Sequence, residues 1–148
     1  MALTPPQLAA RMLRTTHTLF LLSIFFYAII GEKMMKHPAY SGGRMLIVAM
    51  AAVAVAVAGA AVVLRSRMVA PSAEALRQDP GDTKALRRWQ VGTLTSLVLC
   101  ESIALCGLAL RAVGVSFADV LPFYLAAVLL MLLWRPQLDL PSAGPGAG

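Results

Sequence analysis

Four apolar runs alternate with polar segments along the chain. The first covers about residues 15–31, is rich in Leu, Ile and Phe, and stops at the charged EKMMKHP. The second, residues 45–64, contains no charge and is bracketed by Arg44 and Arg65. The third covers residues 91–110, and the fourth residues 117–134 after the short turn RAVGVS. Each is close to the roughly 20 residues that a helix needs to cross a bilayer. Pro38 and the glycines of SGG at 41–43 mark the first connection as a loop. Residues 65–90 form a polar loop that can begin as a helical extension and is broken by DPGD at 79–82. The Pro/Gly-rich tail, residues 135–148, is expected to be disordered. The pattern predicts an all-α membrane protein, four transmembrane helices in one membrane domain over residues 1–148.

Composition supports the same solvent. The chain has 148 residues, 59% hydrophobic and 14% charged, whereas soluble domains carry about 25% charged residues. Four spans leave no length for a separate soluble domain. Arg11 and Arg14 precede LFLLSIFFYAII as they would in a signal peptide, but no small-x-small cleavage site follows, so this run reads as a retained helix.

The net charge of +6 is distributed between the apolar runs, which points to topology and anionic-lipid contact and not to nucleic acid. Arg11, Arg14, Arg65, Arg67, Arg77, Lys84, Arg87, Arg88 and Arg135 fall on one side of a four-span arrangement. Lys33, Lys36, Arg44 and Arg111 fall on the other. The excess places both termini and the middle loop inside, N-in/C-in, with Trp89 and Trp134 at the inner interface. A bacterial inner membrane suits this arrangement.

Two spans carry small residues in series. Ala52, Ala54, Ala56, Ala58 and Ala60 alternate mainly with valine in the second, and steps of about 200° spread them over two opposite helix faces. In the third, Gly92, Ser96, Cys100 and Ala104 recur every fourth residue, with Gly107 extending the seam. Small faces allow close helix–helix approach in lipid, within the chain or between copies; an alanine-rich codon bias is the plain alternative for the second span. Cys100 and Cys106 have neither metal nor CxxC spacing and read as small packing residues.

Glu101 is the anomaly: a carboxyl group near the middle of the third span, about 100° from that seam. A charged acid at this depth costs roughly 2.5–3.5 kcal/mol on insertion scales, and desolvation favours its neutral form. Such a group can exchange a proton or bind a cation. It can equally stay protonated and donate one hydrogen bond across a helix interface. Ser23 and Tyr124 lie at suitable depth to receive it. No Lys or Arg lies inside any span, so a buried ion pair is excluded.

The segment of about residues 42–111 resembles the helical hairpin of the c subunit, or proteolipid, of rotary F-type ATP synthases. AVAVAVAGAA is similar to the alanine-substituted form of that family's glycine stripe. AEALRQDP resembles its cytoplasmic loop motif, with an inserted Asp, and ESIALCGLAL resembles the sequence around its ion-carrying glutamate, with Cys106 in place of the usual aromatic. The resemblance implies a ring of copies in which Glu101 carries the ion, and a loop in which Arg77, Gln78 and Pro80 meet the rotor stalk. Ser102 matches the serine that follows the glutamate in sodium-binding members, but the second span has no glutamine, so a proton is expected and no cofactor is needed. The implied partners are lipid, further copies of the chain and other rotary ATPase subunits. This chain adds one span on each side of the hairpin.

A second class of function is a structural or assembly protein with the same packing and a neutral Glu101. An enzyme has little support, since His17 and His37 have no partners at metal-ligand or triad spacing. No catalytic or metal-binding residues are assigned.

Overall fold

A computed structural model describes residues 5–34 and 43–136. The expected first loop, with Pro38 and His37, and the tail beyond residue 136 lie outside the described residues. The described residues form five α-helices: α1 (Pro5–Met34), α2 (Gly43–Leu64), α3 (Ala70–Gln78), α4 (Thr83–Ala112) and α5 (Phe117–Leu133). Among the described residues there is no strand. Among the described residues, three helical stretches are long and apolar enough to cross a membrane, and α5 is a shorter apolar helix. Its 17 residues span about 26 Å at 1.5 Å per residue, just under the roughly 30 Å of a hydrocarbon core.

Helix does not stop where apolarity stops. A π-helical segment, Arg65–Val69, joins α2 to α3 without a break, and the Ala70 N–H bonds to the Arg65 carbonyl five residues back. Pro71 lies two residues beyond its last residue, Val69. A proline has no N–H for the ladder and its ring crowds the carbonyl one turn earlier, so a widened turn is a common accommodation. The helix therefore runs on to Gln78 and most of residues 65–90 is helical.

The break falls at the expected DPGD. Asp79 accepts from the Gly81 N–H at 2.9 Å, and Asp82 caps α4 by accepting from the N–H groups of Lys84 (2.9 Å) and Ala85 (3.1 Å). At its other end α4 closes with a Schellman motif: Val115 N–H bonds to Leu110 O, Gly114 N–H to Arg111 O, and Gly114 takes φ 92°. Only glycine adopts that φ without strain. Ser116 then caps α5, and the reversal lays α5 back along α4.

Helix α4 is the hub. α1, α2 and α5 all pack on it, while α1 and α2 do not pack on each other among the described residues. The whole small-residue seam of α4, Gly92, Ser96, Cys100, Ala104 and Gly107, is buried. A Cβ on Gly92 would stand 2.9 Å from Val69 Cγ2, and one on Gly107 would stand 3.1 Å from Phe123 Cβ. The seam thus admits the π segment at one end and α5 at the other.

A second buried cluster lies at the basic end. α1 starts at Pro5, ahead of its apolar run, and sends Ala9, Ala10 and Leu13 to a cluster with Val69, Leu76, Ala85 and Trp89. Trp89 is only 1% exposed: instead of facing headgroups it fills this layer. Trp134 is half-buried, with the Arg65 guanidinium 5.8 Å from its ring centroid.

Candidate functional site

Glu101 faces α1. Ser23 and Tyr27 are four residues apart on that helix, hence on one face, and both hydroxyls meet the same carboxyl oxygen. Ser23 Oγ lies 2.6 Å and Tyr27 Oη 2.8 Å from Glu101 Oε1. Ser23 Oγ is also 2.7 Å from the Phe20 carbonyl oxygen.

A hydroxyl has one hydrogen and can serve only one acceptor. With Glu101 neutral, the chain is directional: Tyr27 O–H donates to Oε1, Oε1–H donates to Ser23 Oγ, and Ser23 O–H donates to Phe20 O. With Glu101 charged, Tyr27 and Ser23 both donate to Oε1. Between the two states the proton leaves and the Ser23 hydrogen turns. No heavy atom need move, so the cluster accommodates either form.

The other oxygen, Oε2, makes no hydrogen bond among the described residues. Glu101 is half-buried and shares a face of α4 with Leu94, Val98 and Leu105, which are exposed. It forms no ion pair among the described residues. One face of the acid is therefore held and one is open.

Of the partners expected at this depth, Ser23 reaches Glu101 and Tyr124 does not. The Tyr124 hydroxyl is buried and has no partner among the described residues. Its ring lies against Gly107, and its oxygen would be 3.4 Å from a Cβ on Gly31. Beside it is Arg111, whose Nη1 donates to Val115 O at 2.9 Å, whose Nη2 is 3.6 Å from Glu32 Oε2, and whose buried Nε has no partner among the described residues. This second polar group sits toward the end of α1 opposite the basic end.

Tyr27 is the residue that sequence reasoning missed; its i,i+4 relation to Ser23 was the available signal. Ser102 turns away, its Oγ donating to Val98 O at 2.9 Å. Arg77 and Gln78 end α3, each with a side-chain nitrogen 3.4 Å from a Glu74 carboxyl oxygen, and Pro80 stands in the exposed turn beyond. In α2, Ala54 is buried and Ala58 half-buried, whereas Ala52, Ala56 and Ala60 face outward. His17 is engaged, with Nε2 2.9 Å from Met131 O. Cys100 and Cys106 are free thiols, and no cluster of potential metal ligands occurs among the described residues.

What the site contains is a two-hydroxyl clamp on one carboxyl oxygen, with the second oxygen open. The chain matches no protein-family profile, no curated protein and no solved structure.

Proposed function

We propose that this chain is an integral membrane protein whose working group is a reversible proton-binding carboxyl, Glu101, in chemistry like that of the ATP synthase c subunit. The observation that carries the reading is the Ser23–Glu101–Tyr27 cluster, which satisfies the hydroxyls in both protonation states while leaving Oε2 unbonded. Two donors on Oε1 serve the charged form, and the Ser23 oxygen receives the proton of the neutral form.

In this reading the α2–α4 hairpin is the c-like unit, the basic end is cytoplasmic, and the cargo is a proton. Arg77, Gln78 and Pro80 form the contact surface for another rotary ATPase subunit. α1 supplies both hydroxyls and is part of the proton site.

A structural or assembly role is the second reading, and the 2.7 Å contact between Ser23 Oγ and Phe20 O favours it. That contact lets a permanently neutral Glu101 donate to Ser23 and pin α1 to α4.

The test uses the full chain in liposomes. A hydrophobic carbodiimide should label Glu101 increasingly as pH falls, and Glu101→Gln should abolish proton flux while preserving assembly. No labelling at any pH, with flux absent from the parent chain, would leave only the structural role.

A further inference from the structure

The basic end of the bundle holds a second feature that the proton site does not use. Between α1 and the C-terminal end of α5 lies a cleft of about 320 Å³, lined by Arg14, His17, Thr18, Arg135 and Pro136. Arg14 and Arg135 are exposed, and neither guanidinium has an ion pair or hydrogen bond among the described residues. His17, 5% exposed, forms the floor, held by Met131 O. Thr18 Oγ donates to Arg14 O at 3.1 Å, which tightens that turn of α1.

Among the described residues, no carboxylate lines the cleft. The described acids of this end are Glu74, Asp79 and Asp82, all on α3 and the turn after it. They are occupied by Arg77 and Gln78, by the Gly81 N–H, and by the cap of α4. Two arginines thus line a cleft that has no counter-charge among the described residues.

Depth specifies the ligand further. Directly inward along α1, Leu19 and Leu22 are exposed, and along α5 Leu129 and Leu132 are exposed. A cationic cleft therefore sits on the rim of an apolar wall. That is the shape of a phospholipid: an anionic head above, acyl chains below. Guanidinium groups bind phosphate oxygens through paired N–H donors, and basic pockets between membrane helices take anionic headgroups.

We propose that this cleft binds the phosphate of an anionic phospholipid, with Arg14 and Arg135 on its oxygens and its acyl chains against Leu19, Leu22, Leu129 and Leu132. The inference needs only that the helices lie in a membrane, and it stands apart from the role given to Glu101.

Native mass spectrometry of the full chain, released from nanodiscs of mixed phosphatidylglycerol and phosphatidylcholine, tests it. Phosphatidylglycerol should be retained over phosphatidylcholine by roughly 30-fold, the combined effect expected of two interfacial arginines. Arg14→Gln with Arg135→Gln should bring retention close to parity, while Arg44→Gln, at the opposite end, should leave the preference intact. Helicity measured alongside shows that each variant is folded. Equal retention of both lipids by the parent chain overturns the proposal. So does displacement of the lipid by millimolar inorganic phosphate, which would make the site one for free phosphate. A preference that emerges only after deletion of residues 137–148 would mean that the chain's own tail fills the cleft, and would overturn it too.

Discussion

α2 and α4 have similar ingredients and opposite fates. Both are long and apolar, and both carry small residues in series. Yet 44% of the most apolar stretch of α4 is buried inside the bundle, against 6% for the helix that contains α2. Gly92 and Gly107 of α4 lie where an added carbon would meet Val69 or Phe123, whereas nothing stands within 4 Å of a Cβ at Gly59 of α2. A small-residue series therefore states that close approach is allowed, not that it is used. What decides is the number of neighbours: α4 has α1, α2 and α5 around it, and α2 has mainly α4.

The largest effect should come from filling the space that α4 leaves. Gly92→Leu or Gly107→Leu forces a side chain into Val69 and Met68, or into Phe123 and the Tyr124 ring. Overpacking of this kind costs roughly 1–3 kcal/mol, and these sites belong at the upper end because backbone-proximal atoms must move. Gly59→Leu meets no neighbour and should gain up to about 0.8 kcal/mol from helix propensity. Unfolding in mixed detergent and dodecyl sulfate micelles, followed by helicity, gives all three. Equal losses at Gly59 and Gly92 would erase the distinction between the two helices.

Hydropathy reads the bilayer better than it reads the helix. The four apolar runs fall inside helices except for Trp134 at the end of the last, but polar stretches at residues 5–14, 65–78 and 83–90 are helical as well. Their Ala, Leu, Arg and Gln residues favour helix in water as readily as in lipid. The break at DPGD was legible because its residues act locally: Pro and Gly interrupt, and each Asp accepts from a nearby N–H. The burial of Trp89 was not, because it depends on α1 extending far enough to bring Ala9 and Leu13 alongside.

The site divides in the same way. Glu101 was visible as an acid in an apolar run, and Ser23 by matching depth. Depth alone could not choose between Tyr27 and Tyr124, since that requires the rotation of α1 and α5 about their axes. The α4 seam was visible as a set, but not that Gly107 would serve α5 while Gly92 serves the π segment.

A smaller effect asks how much polar contact adds to the packing advantage of α4. Tyr27→Phe removes one hydrogen bond to Glu101 Oε1, and Ser23→Ala removes the other. Each should destabilise by about 0.5–1.5 kcal/mol. Because the two hydroxyls share one oxygen, the double variant should depart from the sum of the singles. The same micelle unfolding assay measures all of them. Strict additivity would mean that the hydroxyls act on α1 separately and that Glu101 does not couple them.

The smallest effect discriminates most finely, because one substitution has opposite signs in the two helices. Ala in place of Gly in a helix interior gains about 0.8–1.0 kcal/mol from backbone propensity alone. At Gly59, where the added carbon meets nothing within 4 Å, the whole gain should appear as greater resistance to dodecyl sulfate. At Gly92 the identical gain is opposed by a 2.9 Å approach to Val69 Cγ2 and a 3.2 Å approach to Met68 Cβ, so Gly92→Ala should be neutral or destabilising. The difference between the two variants cancels propensity and leaves only the space around each helix. If Gly59→Ala instead destabilises, and more so as protein concentration rises, the outer face of α2 is covered by another copy. The contrast between the helices would then belong to the single chain and vanish in the assembly.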